Sequence, residues 1–373
     1  MERPSDGPME PAGGSGAVMT SDHIHLNKQE AGSRYVRQMR FAPIGAAGQQ
    51  SLGSRSAVVV GLGALGAVIA SHLVRGGIGR IRLIDRDIVE YSNLHRQMLY
   101  TEQDAEQLLP KAEAAAIRLR AANSEPIIEP IVTELSPSNA QKLLADADII
   151  MDGTDNFSAR YLMNEVSVKH GIPWIYGGAV GGSGMCTSII PGETACFRCL
   201  FPAPPAAGAV DTCETAGVIS PIIDIIGSLQ AAEALKLLTG NAGAVNQGLT
   251  QVDVWNSQWM NIKTTQSRRS DCPVCANRQF DALENHDNHT ETASLCGRHT
   301  VQITPPQPLQ TPLPHIASRL SHTGEIELTR YLMRLSLADS DYTFILFPDG
   351  RALVQGTDDP ITAQRIYNDL IGT

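Results

Sequence analysis

Four cysteines fall in two pairs of equal spacing, Cys196-Phe-Arg-Cys199 and Cys272-Pro-Val-Cys275, with 72 residues between the pairs. Four thiolates complete the tetrahedral shell of a structural zinc and leave no open position. One such pair alone would also suit redox chemistry. Two pairs favour zinc. The second chemical feature is rich in glycine. Gly61-Leu-Gly63-Ala-Leu-Gly66 follows a β-branched run and opens an apolar helical one, and Asp85 comes nineteen residues after Gly66. The glycines allow a tight turn, a helix N-terminus presents free N–H groups to phosphate, and the acid suits ribose hydroxyls. The spacing does not separate NAD from ATP, and a ligand-free turn is the plainer alternative.

Charged groups follow in a set order: Asn93-Leu-His-Arg96-Gln, then Pro110-Lys111, then Asp152-Gly-Thr-Asp155-Asn156. Hydride transfer has no evident need for them. Adenylation does, because it brings an anionic carboxylate against an anionic triphosphate. Arg96 and Lys111 supply cations, and Asp155 at a strand end suits Mg²⁺. Taken singly, each reads as a solvated charge or a helix cap, Asp155 especially. Their joint order carries the sharper reading. Cys213, in Asp211-Thr-Cys213-Glu-Thr, reads either as a nucleophile or as a small unreactive thiol.

These groups need a scaffold of alternating strands and helices. Strands are expected at 57–60, 81–85, 127–132, 149–151 and 174–176. Helices are expected at 64–76, 111–122, 138–145 and 156–171, and residues 33–52 read as helix with a loop. A long helix over 221–239 carries Ile222, Ile225, Ile226, Leu229 and Ala232 on one stripe and ends at Gly240. Residues 253–263 read as one late antiparallel strand. The expected fold class is α/β, a Rossmann-like doubly wound, mostly parallel sheet with a four-cysteine zinc site. Residues 1–32 read as a disordered tail, 33–283 as the nucleotide-binding domain and 284–315 as a Pro-rich linker. Residues 316–373 read as a small C-terminal α/β unit. It has a helix near 316–336, a hairpin over 342–355 turning at Asp349-Gly350, and a helix over 360–371.

A net charge of −10, from 29 Lys+Arg and 39 Asp+Glu, argues against nucleic acid or anionic membranes as partners. The longest apolar run, 57–70, is broken by glycine and too short to span a bilayer. No secretory signal opens the chain, so a cytoplasmic location is expected. Seven cysteines in such a chain argue against a disulfide scaffold.

In chain order, SRYVRQ, GLGALG, DRD, NLHRQ, PK, DGTDN, CFRCLFP, CETAGVISPIIDIIGSLQAAEALKLLTG and CPVC resemble the ThiF/MoeB/HesA family. The resemblance covers about residues 33–283. It is nearest to the branch that serves thiazole (thiamine) biosynthesis. It implies an adenylyltransferase that uses ATP to activate the C-terminal glycine of a ubiquitin-like sulfur carrier, ThiS- or MoaD-like. By the same resemblance Gly61, Gly63 and Gly66 line the nucleotide and Asp85 binds the ribose. Asn93, Arg96 and Lys111 then contact phosphates, and Asp155 holds Mg²⁺. Arg37 matches an arginine that one subunit of a homodimer lends to its partner's ATP. Cys196, Cys199, Cys272 and Cys275 match zinc ligands, and Cys213 matches a cysteine that links to the activated carrier. A sulfurtransferase or a cysteine desulfurase is the implied sulfur donor. Gly153 stands where many relatives carry Cys, a departure expected to matter little. Asp224 interrupts the apolar start of the long helix, and Cys186 and Cys296 have no assigned role. Adenylation of a peptide or tRNA, an NAD-dependent oxidoreductase and a non-catalytic zinc-stabilised scaffold are the competing readings.

Overall fold

The computed structural model describes residues 34–204, 215–284, 291–295, 299–305, 307 and 309–372. The expected tail, Cys213 and Cys296 lie outside the described residues. Two short helices, α1 (Val36–Met39) and α2 (Gly45–Gly53), lead into an alternating series. It runs β1 (Ser56–Val60), α3 (Ala64–Gly76), β2 (Arg80–Asp85), α4 (Glu102–Glu106), α5 (Lys111–Ala122) and β3 (Ile127–Val132). It continues with α6 (Ala140–Leu144), β4 (Ile149–Asp152), α7 (Phe157–His170) and β5 (Trp174–Val180). The sheet order is β3-β2-β1-β4-β5, all parallel. Chain order therefore reverses between β1 and β4, which opens a crevice at their C-terminal ends. β4 is buried along its whole length and β1 from Ala57 to Val60, as central strands covered on both faces must be.

Three antiparallel strands extend the sheet: β6 (Ser183–Ile189), β7 (Gly248–Asp253) and β8 (Gln258–Lys263). Residues 253–263, expected as one strand, are the turn and second arm of a hairpin. Asp253 ends β7, and Ser257 takes a left-handed conformation just before β8. β6 carries little strand signal of its own (SGMCTSI). It is held by pairing with both neighbours.

α8 (Phe197–Leu200), α9 (Ser220–Leu238) and α10 (Asp281–Glu284) complete this unit. α9 packs on α3 and on β5 and β6. The expected apolar stripe is not the buried one. Ile222, Ile223, Ile226, Gln230 and Ala234 are buried, Ile225 and Leu229 are half-buried, and Ala232 is exposed. The helix touches two layers, so its buried face is wider than one stripe. Gln230 belongs to it because its amide donates to the carbonyls of Asp152 and Ile175 at 2.7 and 3.2 Å. Those two bonds satisfy the amide N–H groups, while Oε1 is buried without a partner.

The C-terminal unit contains β9 (Glu291–Leu295), β10 (Thr300–Thr304), α11 (Leu313–Leu320), β11 (Gly324–Leu328) and β12 (Met333–Leu337). β13 (Thr343–Leu346), β14 (Ala352–Gln355) and α12 (Pro360–Ile371) follow. Its sheet runs β11-β12-β13-β14-β10-β9, antiparallel throughout. The hairpin and final helix stand where expected. The helix expected near 316–336 ends at Leu320, and two strands replace its second half. Residues 325–328 and 333–337 alternate polar and apolar with a period of two, the strand period rather than the helix period. The stretch expected as a linker, 284–315, contributes β9, β10 and the start of α11. No described helix is long and apolar enough to cross a membrane.

Candidate functional site

The chain leaves β1 at Val60 and turns sharply. Gly61 has φ +81°, and its N–H donates to the Ile84 carbonyl at 2.8 Å. Gly63 caps α3, whose first-turn amides are the kind of donor that suits a phosphate. The turn is packed backbone on backbone. A Cβ at Gly66 would lie 1.8 Å from the Gly61 oxygen, and one at Gly153 would lie 2.3 Å from that same oxygen. The expectation that Gly153 matters little is thus corrected: here it lets the loop after β4 lie against the glycine turn. Gly153→Ala is expected to cost about 1–3 kcal/mol, as overpacking does. By displacing the turn it should also weaken the hold on any phosphate ligand there, measured by thermal unfolding with and without nucleotide.

Asp85 ends β2 and ties the turn together. Its two carboxylate oxygens accept from Leu62 N at 2.6 Å and Asp87 N at 2.7 Å. Burial pushes this carboxyl up, while the Lys111 ammonium opposes the shift. Lys111, only 3% exposed, opens α5 and pairs with the Asp87 carboxylate at 3.2 Å. The Tyr100 hydroxyl donates to the Leu62 carbonyl at 2.6 Å, which links this network back to the glycine turn. Asn93 is 1% exposed, and its Oδ1 has no hydrogen-bond partner. The same holds for Oε1 of buried Gln97, whose amide lies 3.7 Å from where a Cβ on Gly63 would sit. Arg96 is half-buried and donates to the Ser92 carbonyl at 3.0 Å.

On the other side of the crevice, Asp152 is fully buried at the end of β4. It pairs with Arg160 Nε at 2.9 Å and accepts from Thr154 N and Oγ1 at 2.9 and 2.7 Å. Burial pushes the Asp152 carboxyl up, and Arg160 draws it back. Arg160 also donates to the Thr154 and Gly177 carbonyls, and its guanidinium lies 5.0 Å from the Tyr176 ring centre. The loop 153–156 is therefore tightly held. Asn156, not Asp155, caps α7, accepting from Ala159 N at 3.2 Å. Asp155 is left exposed at the end of the loop.

Sequence reasoning singled out Asp85, Asn93, Arg96, Lys111 and Asp155. Asp85 and Lys111 join the network behind the glycine turn, and Asp155 follows the Gly153–Thr154 backbone that packs on it. Asn93 and Arg96 make their side-chain bonds within their own segment, to Ser92. It missed Asp87, Gln97, Tyr100, Asp152 and Arg160. Asp87, Gln97 and Asp152 stood inside the motifs already noted. Tyr100 and Arg160 carry no sequence signal beyond their type. Arg37 is exposed on α1 and belongs to none of these networks within one chain.

The four cysteines converge away from this crevice. Cys196 and Cys199 lie 3.8 Å apart between sulfurs, Cys196 and Cys272 3.7 Å, and Cys199 and Cys275 3.5 Å. A tetrahedral zinc with ~2.3 Å bonds requires sulfurs about 3.8 Å apart. All four sulfurs fall within 4.8 Å of one another, so the residues fit that ion. Cys186 is a buried core thiol of β6, pushed far above its ordinary pKa by burial. Asp224 is half-buried and interacts with His72, and burial pushes its carboxyl up.

A doubly wound sheet with a glycine turn at its reversal point, and acids and a lysine facing it, defines a nucleotide-binding α/β protein. The chain belongs to the ThiF family, whose model matches residues 35–274. It is 42% identical over 340 residues to the sulfur carrier protein ThiS adenylyltransferase of Bacillus subtilis, covering 91% of this chain and 99% of that one. It is 37% identical over 255 residues to the SAMP-activating enzyme E1 of Haloferax volcanii, covering 68% of this chain and 92% of that one. Among solved structures, Escherichia coli MccB with MccA-N7isoASN has the same fold. The TM-score is 0.59 and the identity 22%, over 69% of this chain and 77% of that one.

Proposed function

We propose that this chain is an adenylyltransferase that uses ATP to activate the C-terminal glycine of a ubiquitin-like sulfur carrier. The observation that carries it is the 42% identity to a ThiS adenylyltransferase over nearly all of both chains. The carrier in this reading is ThiS-like. A MoaD-like or SAMP-like carrier is the second reading, favoured by the likeness to an enzyme that activates SAMP.

In the reaction a carboxylate oxygen of the carrier attacks the α-phosphorus of ATP. The bond from that phosphorus to the bridging oxygen breaks, and pyrophosphate leaves with the electron pair. The product is an acyl-adenylate. The glycine turn and the α3 N-terminus cradle phosphate, and Asp85 faces the ribose. Arg96 and Lys111 offset the charge of two approaching anions, which is where most of such a rate enhancement comes from, and the Asn93 amide contacts phosphate. Asp155 would hold magnesium, which would supply positive charge beside the leaving phosphates. Arg37 is assigned to the nucleotide of a partner subunit in a homodimer. Zinc is assigned to Cys196, Cys199, Cys272 and Cys275, and the carrier's covalent acceptor to Cys213. On edge strand β8, Met260 and Ile262 share one face and are exposed, and they offer a protein partner an apolar surface.

The test is pyrophosphate exchange into ATP against a panel of ThiS-, MoaD- and SAMP-like carriers with free C-terminal glycines. Exchange with one carrier supports the reading; exchange with none of them overturns it. Cys213→Ser is expected to leave exchange intact while thiocarboxylate formation with a sulfurtransferase or cysteine desulfurase donor falls. Loss of exchange in a folded Cys213→Ser protein would give that cysteine another role.

A further inference from the structure

The C-terminal unit is not an appendage in space. Arg351, at the base of β14, is 2% exposed and donates to the backbone carbonyl of Arg86. Arg86 is the residue between Asp85 and Asp87. Its guanidinium pairs with Glu134, and Gln302 of β10 donates to the other oxygen of Glu134 at 2.9 Å. Next to this polar lock, Ile88 is buried in an apolar cluster with Leu332, Ile345, Phe347 and Leu353 of the C-terminal unit, and Leu108 packs against it. Ile88 and Leu108 flank the nucleotide-site strip. Val89 N donates to Leu109 O at 2.8 Å, and Lys111 N to Asp87 O at 2.8 Å. The C-terminal unit thus grips the one turn whose two acids hold the glycine loop and the buried lysine.

Arg351 is costly to keep there. Burial pushes its guanidinium below the ordinary arginine value, and its Nε and Nη1 have no hydrogen-bond partner. The Phe347 ring stacks on it at 3.7 Å. A buried cation with unused donors is poor stabilisation, and an apolar side chain of similar size often replaces one without loss of fold. Its service is therefore sought in position.

We infer that the C-terminal unit is a wall of the nucleotide site, with Arg351 as a residue that positions the Asp85–Asp87 turn for ATP. The inference rests on the reading of the crevice as an ATP site. Arg351 touches no reacting atom. It acts through the Arg86 carbonyl on Asp85, Asp87 and Lys111.

The test uses the full chain with Arg351→Met and Arg351→Lys. Binding of a non-hydrolysable ATP analogue is read by calorimetry, and pyrophosphate exchange gives KM and kcat. Arg351→Met is expected to raise Kd and KM for ATP about tenfold, short of the ~10²-fold that a fully misplaced group costs. Its kcat and its KM for carrier stay near wild type, and Arg351→Lys restores most of the loss because one donor still reaches Arg86. A merely structural role would lower the amount of active protein and leave KM for ATP alone. Wild-type protein that binds no ATP would overturn the reading of the crevice and the clamp with it. Wild type and Arg351→Met that bind ATP equally well would overturn the clamp alone. Should Arg351→Met not fold, Phe347→Leu keeps the hydrogen bond but removes the stacked ring. A smaller rise in KM for ATP supports the clamp, and an unchanged KM overturns it.

Discussion

Asp155→Ala is expected to lower pyrophosphate exchange by at least ~10²–10³, the usual cost of removing one electrostatic contact from a preorganised site. Fold and zinc content should not change. The reason lies in how the loop is built. Asn156 caps α7, and the Asp152–Arg160 pair with its bonds to Thr154 fixes the loop. Asp155 is exposed and serves neither purpose. A carboxylate at the mouth of a crevice, relieved of capping, is available for a cation. Circular dichroism and thermal unfolding of the variant should overlay wild type, while exchange at saturating Mg²⁺ and ATP collapses. Exchange within a few-fold of wild type would remove Asp155 from the metal site. Asp152→Asn should behave differently. It breaks a buried ion pair, which commonly costs ~3–5 kcal/mol, so it should unfold at lower temperature as well as lose activity.

The parallel half of the sheet was legible because each of its strands is a short apolar run with a helical period behind it. β1, β4 and α3 also carry the glycine turn and the loop acids, so the site came with them. The pairing of Asp85 with the Leu62 and Asp87 amides was not legible, since nothing in spacing says which backbone groups a carboxylate will face. β6 was missed because sheet neighbours hold it rather than its own residues. The helix predicted across 316–336 failed where a two-residue alternation lies beside an amphipathic helix and one period was read through both. Gly153 was judged from substitution habits alone. Its contact with Gly61 belongs to a crossing of two loops distant in sequence, which only the fold supplies.

Removing the metal from the four-cysteine site, by chelation or by Cys272→Ser, is expected to release one zinc per chain. It should also lower Tm by about 10 °C, which for a domain of this size corresponds to about 3–5 kcal/mol. The cluster joins α8 to the segment around Cys272, 76 positions apart in sequence. All four thiols are buried or half-buried, so a lost ion leaves them only weak partners, such as the Arg269 N–H on Cys199 Sγ at 3.4 Å. Binding energy of a structural zinc is folding energy. The loss should reach the nucleotide site as well. Phe197, between Cys196 and Cys199, lies 5.3 Å from the Tyr176 ring, and Tyr176 in turn carries the Arg160 guanidinium at 5.0 Å. Arg160 fixes the loop that presents Asp155. Loosening the zinc knuckle therefore loosens that loop, and exchange should fall at temperatures where circular dichroism still reports a folded chain. ATP binding by the glycine turn should suffer less, because that turn is held from the other side by Asp85 and Tyr100. Metal analysis that finds no zinc in active protein, with Tm and exchange unmoved by chelator, would show that the four thiols hold no structural ion.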